Sequence, residues 1–461
     1  MFILYSFFKQ DDDMKRQNRP LDDDMVIYWT EDIDSSNTDT IFKVFQDAMV
    51  LSCTNFMRNK EVFQQMKQRN FDVAIVEPLS VCGLGYVKAL GIEKTILASS
   101  CAFFDGALDA VGEWLDLSFV PSVMGKSGEQ MTLLERLENY KVSNAMLRME
   151  FQMWDDEMKI YREYLGEHTP HWRELLADAS IYFTNSIPYV DFPRSVTQKT
   201  IPIGGISVDM DSIKSQKLPN EWSTELDKRP YNMLISFGSM VRSMDMPINW
   251  RTSLVEAMRS EPNVTFFWKY ESDDVSFAKD VNNIHFSKWL PQTALLNDDR
   301  LTAFMTHGGL GSTMELAHLG KPALMIPVFA DQHRNANMLA RHGGALVVHK
   351  DELANAKKIR ETIRSVLHEK VYKENAEKLA VLLENQPLKP KEQVLRYTEF
   401  VAKFGPFPKM NSHGRNLGFI ERKLVDIHIL IGLSYFLPFC FVVLSIWFVL
   451  SKISVRKVKN E

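Results

Sequence analysis

Cysteine is scarce in this sequence, with four residues in a chain of 461. Cys53, Cys82, Cys101 and Cys440 follow neither a Cys-x-x-Cys nor another metal-binding spacing, which argues against a zinc module and a disulfide scaffold. One disulfide bridge remains compatible with this number. Basic residues are not in excess, because the formal net charge is -5. The positively charged surface of a nucleic-acid-binding protein is therefore not expected.

Charge is missing from one long stretch near the C-terminus. Residues 427–450 contain no Asp, Glu, Lys or Arg, and they are numerous enough to cross about 30 Å of hydrocarbon as a helix. The basic segment 452–461 follows, and basic flanks stay in the cytosol. We expect a single transmembrane helix at 425–451, a cytosolic tail and a lumenal body. Lys457 and Lys459 resemble a dibasic endoplasmic-reticulum retrieval signal, and a plain stop-transfer tail is the alternative.

The N-terminus does not match this topology. The apolar run 2–8 is shorter than the apolar core of a signal peptide. It also lacks a basic start and leads directly into Lys9 and the acidic residues 11–13. We expect residues 1–25 to be disordered. Two explanations stay open: the chain is a fragment of a longer protein, or the transmembrane helix acts as a late signal.

Strand and helix patterns alternate between these ends, and the chain length favours two domains. Such alternation predicts parallel sheets of an α/β fold. The predicted strands are 71–76, 94–98, 180–185, 231–236, 264–270, 284–286, 301–305, 322–326 and 345–348. The domain boundaries expected from them are a Rossmann-like domain at 26–206, a polar linker at 207–230 and a second Rossmann-like domain at 231–424. The pattern of the Met-rich amphipathic stretch 131–165 indicates core or interdomain packing rather than contact with a membrane surface or a lipophilic ligand.

The polar and small residues between Trp289 and Gln332 cluster at turns. The apolar strand 301–305 is followed by Thr306, His307 and two glycines, and a helical pattern opens at Ser312. Open α/β sheets bind nucleotides at the carboxyl ends of their strands. Glycines let the backbone approach a pyrophosphate, and a helix N-terminus offers free N–H groups to it.

This segment resembles the signature of the UDP-glycosyltransferases, specifically the animal UDP-glucuronosyltransferase-like membrane enzymes. The matching positions are Trp289, Gln292, His307, Gly308, Gly309, Ser312, Glu315, Pro322, Pro327, Asp331 and Gln332. The resemblance implies the GT-B arrangement, in which two Rossmann-like domains face a cleft. It also implies UDP-glucuronic acid or UDP-glucose as the co-substrate, without a further cofactor.

The resemblance assigns the nucleotide contacts. Trp289 would stack on the uracil and Gln292 would hydrogen-bond the uracil or ribose, although an isolated Trp at a strand end usually packs in the core. His307 would touch the α-phosphate as an imidazolium or as an N–H donor. The loop of Ser236, Gly238 and Ser239 would lie at the phosphates; by itself it also fits an ordinary strand-to-helix turn.

Other positions admit a structural explanation beside the implied one. Ser312 and Glu315 have the spacing of a capping box, whereas the family uses the glutamate to hold the ribose hydroxyls. Asp331 and Gln332 would read the sugar hydroxyls; an N-cap Asp with an exposed Gln is the alternative. The remaining implied nucleotide-binding position is Gly311, within the glycine turn.

The sugar and the metal are less constrained by the sequence. Lys269 stands where animal glucuronosyltransferases often have Arg, so a contact with a sugar carboxylate stays open. No Asp-x-Asp pair lies between strands to hold a diphosphate through a metal, since Asp209 and Asp211 fall in the linker. We expect no metal site. The sequon at Asn263 begins a predicted strand, and its glycosylation stays open.

The proton acceptor is incomplete in the sequence. The family uses a histidine near the mature N-terminus with a partner carboxylate after a later strand, and Glu77 takes the carboxylate position. The histidine is missing, because the first one in the chain is His168. Either the sequence is an incomplete version of an active enzyme, or it is a truncated form that binds the donor and transfers poorly.

These features predict an enzyme of the endoplasmic-reticulum membrane. It would transfer glucuronic acid or glucose from a UDP-sugar to a hydroxyl of a small lipophilic acceptor, with inversion. The alternative is a catalytically silent donor-binding partner that forms oligomers with full-length relatives. A soluble sugar-binding protein is a weaker hypothesis, because the apolar span 427–450 contradicts it.

Overall fold

The computed structural model describes residues 25–458. Nearly all of the segment 1–25 that the sequence predicts to be disordered, and the last three residues of the predicted cytosolic tail, lie outside this range. The chain forms two compact units, one ending at Asn411 and the other starting at Ser412.

Ten strands form two sheets in the first unit, and every pair of neighbouring strands is parallel. The first sheet has the order β1-β2-β3-β4, and the second has the order β10-β9-β8-β5-β6-β7. The strands are β1 Ala74–Val76, β2 Thr95–Ala98, β3 Ile181–Thr184, β4 Thr200–Pro202, β5 Tyr231–Ser236, β6 Val264–Lys269, β7 Ile284–Ser287, β8 Ala303–Thr306, β9 Ala323–Met325 and β10 Ala345–Val347. We call residues 26–206 the N-terminal half and residues 231–384 the C-terminal half.

Helices separate these strands, as the alternating pattern predicts. They are α1 Met25–Thr30, α2 Thr38–Ile41, α3 Lys43–Arg58, α4 Lys60–Gln68, α5 Cys82–Ala89, α6 Asp105–Val111, α7 Leu133–Leu165, α8 Trp172–Asp178, α9 Met210–Ser215, α10 Asn220–Leu226, α11 Ile248–Arg259, α12 Gln292–Asn297, α13 Leu310–Leu319, α14 Gln332–Ala340, α15 Ala356–His368, α16 Lys370–Glu384, α17 Pro390–Phe404, α18 Phe419–Arg422 and α19 Val425–Val458.

The long helix α7 is a core element of the N-terminal half. Met153, Trp154 and Tyr161 are buried on the side that faces α5 and α6, so the prediction of core packing is confirmed. Glu150 and Glu157 also point inward from this helix. Glu150 accepts from Gly106 N at 2.7 Å, at the start of α6. Glu157 accepts from the backbone N–H of Val81 and Cys82 at 2.8 and 3.2 Å, ahead of and at the start of α5.

Two acidic side chains two turns apart on α7 therefore satisfy helix N-termini that lack side-chain caps of their own. Burial raises the pKa of both carboxyls to about 8. The contact of Glu157 fixes the turn between β1 and α5, which carries Glu77.

The polar segment 207–230 is ordered into the short helices α9 and α10. Trp222 and Leu226 of α10 are buried in the core beneath the second sheet. Helix α17 follows the C-terminal half in sequence, but its Val401 packs with Ile96 and Ile181 of the first sheet. The chain thus returns to the N-terminal half before the second unit begins.

The opening residues of the described chain pack on the C-terminal half. Trp29 of α1 is 0% exposed and lies edge-on to Phe237 and Trp250, with its indole Nε1 donating to Arg242 O at 3.2 Å. The buried ammonium of Lys350 donates to the Tyr28 and Glu31 carbonyls. The sequence did not predict this contact, because α1 is only six residues long.

The second unit contains α18 and α19. Helix α19 is long and apolar enough between Val425 and Leu450 to cross a membrane. Pro438 lies inside it. Its large apolar side chains between Ile427 and Leu450 are exposed within the unit, as lipid contact requires.

A disulfide joins Cys53 of α3 to Cys82 of α5, 29 residues apart. The number of cysteines allowed one such bridge. We expect Cys82→Ser to lower the free energy of unfolding by about 3 kcal/mol, because closing a loop of this length restricts the unfolded chain. Urea unfolding of the detergent-solubilised chain measures it. Cys440→Ser is the control, since it removes a thiol without removing a bridge. Equal unfolding midpoints for all three proteins would contradict the expectation.

Candidate functional site

The register of two central strands assembles the site. Strands β5 and β8 are neighbours, and Ser236 at the end of β5 pairs with Thr306 at the end of β8. The loop after β5 and the loop after β8 therefore leave the sheet side by side. This brings together Gly238 and His307, which are far apart in the sequence.

The imidazole of His307 lies between two glycines. A Cβ atom at Gly238 would be 2.6 Å from its Cε1, and one at Gly309 would be 2.6 Å from its Nε2. Gly238 also has φ +92°, a conformation that other residues rarely adopt. Only glycine therefore fits at either side of the ring.

Burial, assisted by the ammonium of Lys269, lowers the pKa of His307 to about 4. The imidazole is then neutral near pH 7. Of the two states considered from the sequence, this supports an N–H donor and disfavours an imidazolium. Thr306 Oγ1 lies 3.3 Å from His307 Nδ1.

Helix α13 begins two residues before the predicted position. Gly309 is its N-cap and makes no side-chain cap bond, so the alternative of a capping box formed by Ser312 and Glu315 is wrong. Both residues lie inside the helix. The free N–H groups of its first turn consequently have no side chain of their own to bind them.

Ser312 and Glu315 contact Gln292 instead. The Gln292 amide Nε2 donates to Ser312 Oγ at 3.1 Å and to Glu315 Oε2 at 2.6 Å. Burial raises the pKa of Glu315, and the bond from Gln292 opposes this shift. One polar cluster therefore joins the start of α12 to the first turns of α13.

The two further glycines of the turn differ in surroundings. Gly308 has φ +84°, and a Cβ there would lie 2.9 Å from the Gln332 carbonyl, so the turn after β8 packs closely on the start of α14. A Cβ at Gly311 would meet nothing within 4 Å. Gly311 thus leaves open space above the helix N-terminus.

Trp289 follows β7 and is 77% exposed. This excludes the alternative of a core-packed Trp, because a buried indole would lose most of its exposure. An exposed indole of this size offers a flat apolar surface to a ligand.

Asp331 and Gln332 stand at the start of α14. Asp331 is its N-cap without a side-chain cap bond, and its Oδ2 accepts from Asn335 Nδ2 at 2.8 Å. Gln332 is 5% exposed, and its Oε1 accepts from Val328 N and Phe329 N at 2.9 and 3.0 Å. The alternative of a capping Asp with an exposed Gln is therefore wrong. The side-chain oxygen Oε1 of Gln332 is bonded to the preceding turn, which leaves the side-chain N–H groups for a ligand.

Lys269 and Ser239 lie at the edge of this site. Lys269 Nζ donates to Gly238 O at 2.5 Å and lies 3.9 Å from Glu271 Oε1. Its positive charge is therefore beside the loop after β5. Ser239 is exposed on the same loop.

Glu77 approaches the site from the first sheet. It follows β1, its Oε1 accepts from Ser100 N at 3.1 Å, and burial raises its pKa to about 7. The next residue of that loop, Cys101, lies beside Asp331 and Glu77; burial raises the pKa of its thiol, and these two carboxylates raise it further. The candidate carboxylate of the N-terminal half and the start of α14 thus meet at one seam.

Sequence reasoning missed a buried arginine at this seam. Arg334 of α14 pairs with Asp191 of the N-terminal half at 2.6 Å. The available signal was an arginine in the first turn of α14, two residues after Gln332.

Other cavities and metal ligands do not compete with this site. A groove of about 800 Å³ lies at the opposite, amino ends of the second sheet, beside Tyr231, Thr302 and Pro322. Within residues 25–458, no group of three or more His, Cys, Asp or Glu side chains could hold a metal ion.

Known proteins resemble the chain over most of its length. The family model "UDP-glucoronosyl and UDP-glucosyl transferase" matches residues 2–460. The putative UDP-glucuronosyltransferase ugt-56 of Caenorhabditis elegans is 31% identical over 409 residues, which is 85% of this chain and 75% of that protein. The putative UDP-glucuronosyltransferase ugt-47 of Caenorhabditis briggsae is 28% identical over 406 residues, or 87% and 74%.

Solved structures show the same fold. Os79 from O. sativa in complex with U2F and trichothecene aligns with a TM-score of 0.58 at 16% identity, covering 86% of this chain and 87% of that one. The glycotransferase of kitacinnamycin aligns with a TM-score of 0.57 at 16% identity, over 80% and 84%. The predicted GT-B fold is confirmed by these neighbours and by the two parallel sheets. The chain belongs to the UDP-glucoronosyl and UDP-glucosyl transferase family, whose enzymes take a sugar from a UDP-sugar donor and need no other cofactor.

Proposed function

We propose that the chain transfers glucuronic acid or glucose from its UDP-sugar to a hydroxyl of a small lipophilic acceptor, with inversion at the anomeric carbon. The observation that supports this most directly is the pocket for the neutral His307 ring between Gly238 and Gly309. It lies at the carboxyl ends of parallel strands, where open α/β sheets bind nucleotides.

In the proposed donor site the nucleotide lies across the start of α13. The exposed face of Trp289 stacks on the uracil, which is worth about 1–3 kcal/mol. The cluster of Gln292 and Glu315 holds the ribose, because a carboxylate accepts from both hydroxyls of a vicinal diol.

The diphosphate then faces the glycine turn. His307 donates an N–H to the α-phosphate and offsets the charge that grows on UDP as it leaves. The open N-terminus of α13 adds its free N–H groups and its partial positive charge, with Ser312 in the first turn. Ser236, Gly238 and Ser239 bound the phosphates on the other side, near the ammonium of Lys269.

The sugar lies between this site and the N-terminal half. Asp331 and the Gln332 amide bind its hydroxyls. The ammonium of Lys269 is already bonded to Gly238 O, so it can neutralise phosphate charge or contact a sugar carboxylate at the edge of the loop. Both UDP-glucuronic acid and UDP-glucose fit this arrangement.

The transfer step joins the acceptor oxygen to the anomeric carbon and breaks the bond to UDP. The acceptor hydroxyl has to lose its proton as it attacks. Glu77 must be ionised to receive this proton or to stabilise the group that does. Its position beside Ser100 and Cys101 supports this role, since Cys101 also lies beside Asp331, where the sugar end of the donor site begins.

The proposed topology is a single-pass type I protein of the endoplasmic-reticulum membrane. We propose an acceptor domain at 26–206, a linker at 207–230 and a donor domain at 231–424 on the lumenal side, with α19 in the bilayer. The apolar helix from Val425 to Leu450 supports the anchor. The disulfide between Cys53 and Cys82 supports the lumen, because such bridges persist in oxidising compartments.

We expect His307→Ala and Glu315→Ala each to weaken UDP binding at least about tenfold, or about 1.4 kcal/mol. The first removes the phosphate donor and the second removes the ribose acceptor. Isothermal titration with UDP measures the affinity. His318→Ala is a matched control, because His318 lies at the opposite end of the same helix and contacts Met314 O. Unchanged affinity in both site variants would exclude the proposed donor site.

We expect the transfer rate to rise with pH through about 7 and then to level off. Burial raises the pKa of Glu77 to about 7, so the carboxylate required for transfer forms only above that value. The rate of 1-naphthol conjugation with either UDP-sugar, measured from about pH 5.5 to about pH 9, gives this profile.

Glu77→Gln should remove this rising limb and lower the rate by about 100-fold or more. Glu93→Gln, an exposed glutamate of the same half, should leave both unchanged. A rising limb that survives in Glu77→Gln would assign the titration to another group. Retained UDP binding without turnover in the unsubstituted chain would favour the silent donor-binding partner.

We expect the body to be protected from added protease in intact microsomes while an epitope after residue 461 is digested. The lumenal orientation requires this result.

A second readout is glycosylation of the sequon at Asn263, which is exposed directly before β6. A glycosidase-sensitive mobility shift should be lost in Asn263→Gln and kept in Thr265→Ser. Digestion of the body before detergent is added would overturn the topology.

A further inference from the structure

Arg334 links the two halves through a buried ion pair. Its side chain is 0% exposed, its NH2 group lies 2.6 Å from Asp191 Oδ1, and its Nε donates to Pro121 O at 3.3 Å. Arg334 belongs to α14 of the C-terminal half, whereas both partners belong to the N-terminal half. The pair therefore crosses the seam on which Asp331 lies.

The guanidinium of Arg334 packs against two aromatic rings. Its central carbon lies 4.6 Å from the Phe103 ring centroid and 5.3 Å from that of Phe192. Only arginine combines a planar cation with donors in a fixed fork, so the site is specific for this residue. A buried ion pair contributes little net stability, because desolvation offsets the attraction. Its geometry is therefore the more informative property.

One short loop of the N-terminal half connects this pair to the proposed chemistry. In residues 99–104, Ser100 N donates to Glu77, and Cys101 lies beside Asp331. Phe103 of the same loop stacks on Arg334. The loop thus contacts the carboxylate, the sugar end of α14 and the arginine within four residues.

We propose that Arg334 is a positioning residue whose ion pair with Asp191 sets the sugar-binding end of α14 in register with Glu77. This inference rests on the proposed function. Arg341 extends the same docking, because it donates to the Asp191 carbonyl at 3.1 Å and pairs with Glu129 at 2.7 Å. The donor sugar is therefore aligned by contacts outside the nucleotide site.

This role separates nucleotide binding from transfer. His307 lies in the turn between β8 and α13, and Ser312 and Glu315 lie on α13. Arg334 instead contacts the N-terminal half and its own helix. Loss of the pair should leave the grip on UDP intact and misplace the sugar relative to the acceptor.

The test compares Arg334→Lys with the unsubstituted full-length chain in detergent. Lysine keeps the charge but cannot stack between the rings or form the same fork. We expect kcat for 1-naphthol conjugation to fall by about 100-fold, as a displacement of about 1 Å can cause. The UDP dissociation constant and the donor KM should stay within about twofold of the original values.

Arg300→Lys is the matched control. Arg300 forms ion pairs with Asp227 and Asp298 at 2.7 Å, outside the N-terminal half and away from the seam. We expect it to change neither kcat nor UDP affinity. If Arg334→Lys lowers UDP affinity and thermal midpoint in parallel with kcat, the arginine has only a structural role and the proposal fails.

Amide hydrogen exchange tests the same point without turnover. In Arg334→Lys, exchange should quicken at 99–104 and at 331–341 without nucleotide, and in Arg300→Lys it should not. UDP should protect 306–315 equally in all three proteins. Unchanged exchange at 99–104 in Arg334→Lys would overturn the positioning role, whereas failure of UDP to protect 306–315 in any of them would instead overturn the proposed donor site.

Discussion

The site depends on the parallel pairing of β5 with β8. Their register places Ser236 beside Thr306, so the backbones after both strands enclose the ring of His307. The glycines at 238 and 309 are then obligatory, because a Cβ at either would overlap the imidazole. The low pKa of the histidine follows from the same enclosure, since burial disfavours the charged ring. A single strand register thus determines the shape, the residue types and the protonation state.

Much of the fold could be predicted from the sequence because its strands are short apolar runs bounded by turns. The run 231–236 is a strand with those bounds, and the other predicted strands differ from the structure by three residues or fewer at either end. Helix starts were harder. Helix α13 begins at Leu310 because Gly309 adopts the N-cap position without any side-chain bond, a feature that a search for capping residues cannot detect.

The residues of the site could be listed from the resemblance, but their relations could not. The bond from Gln292 to Glu315 joins residues 23 positions apart. The bond that the side-chain oxygen of Gln332 accepts from Val328 N depends on local backbone geometry. Arg334 and Glu157 were missed for a common reason. Each is a charged residue buried by a distant part of the chain, and helical periodicity alone assigns such residues to a solvated face.

Each half also has a buried side chain in its core that comes from a distant part of the sequence. Trp29 enters the core of the C-terminal half from near the start of the chain, and Val401 of α17 returns to the first sheet from beyond the second. During synthesis the N-terminal half cannot finish its apolar layer until the last helix of the first unit has been made. Folding of the N-terminal half as it emerges from the ribosome therefore cannot be complete before α17 is available. Until then the unfinished surfaces offer binding sites to chaperones.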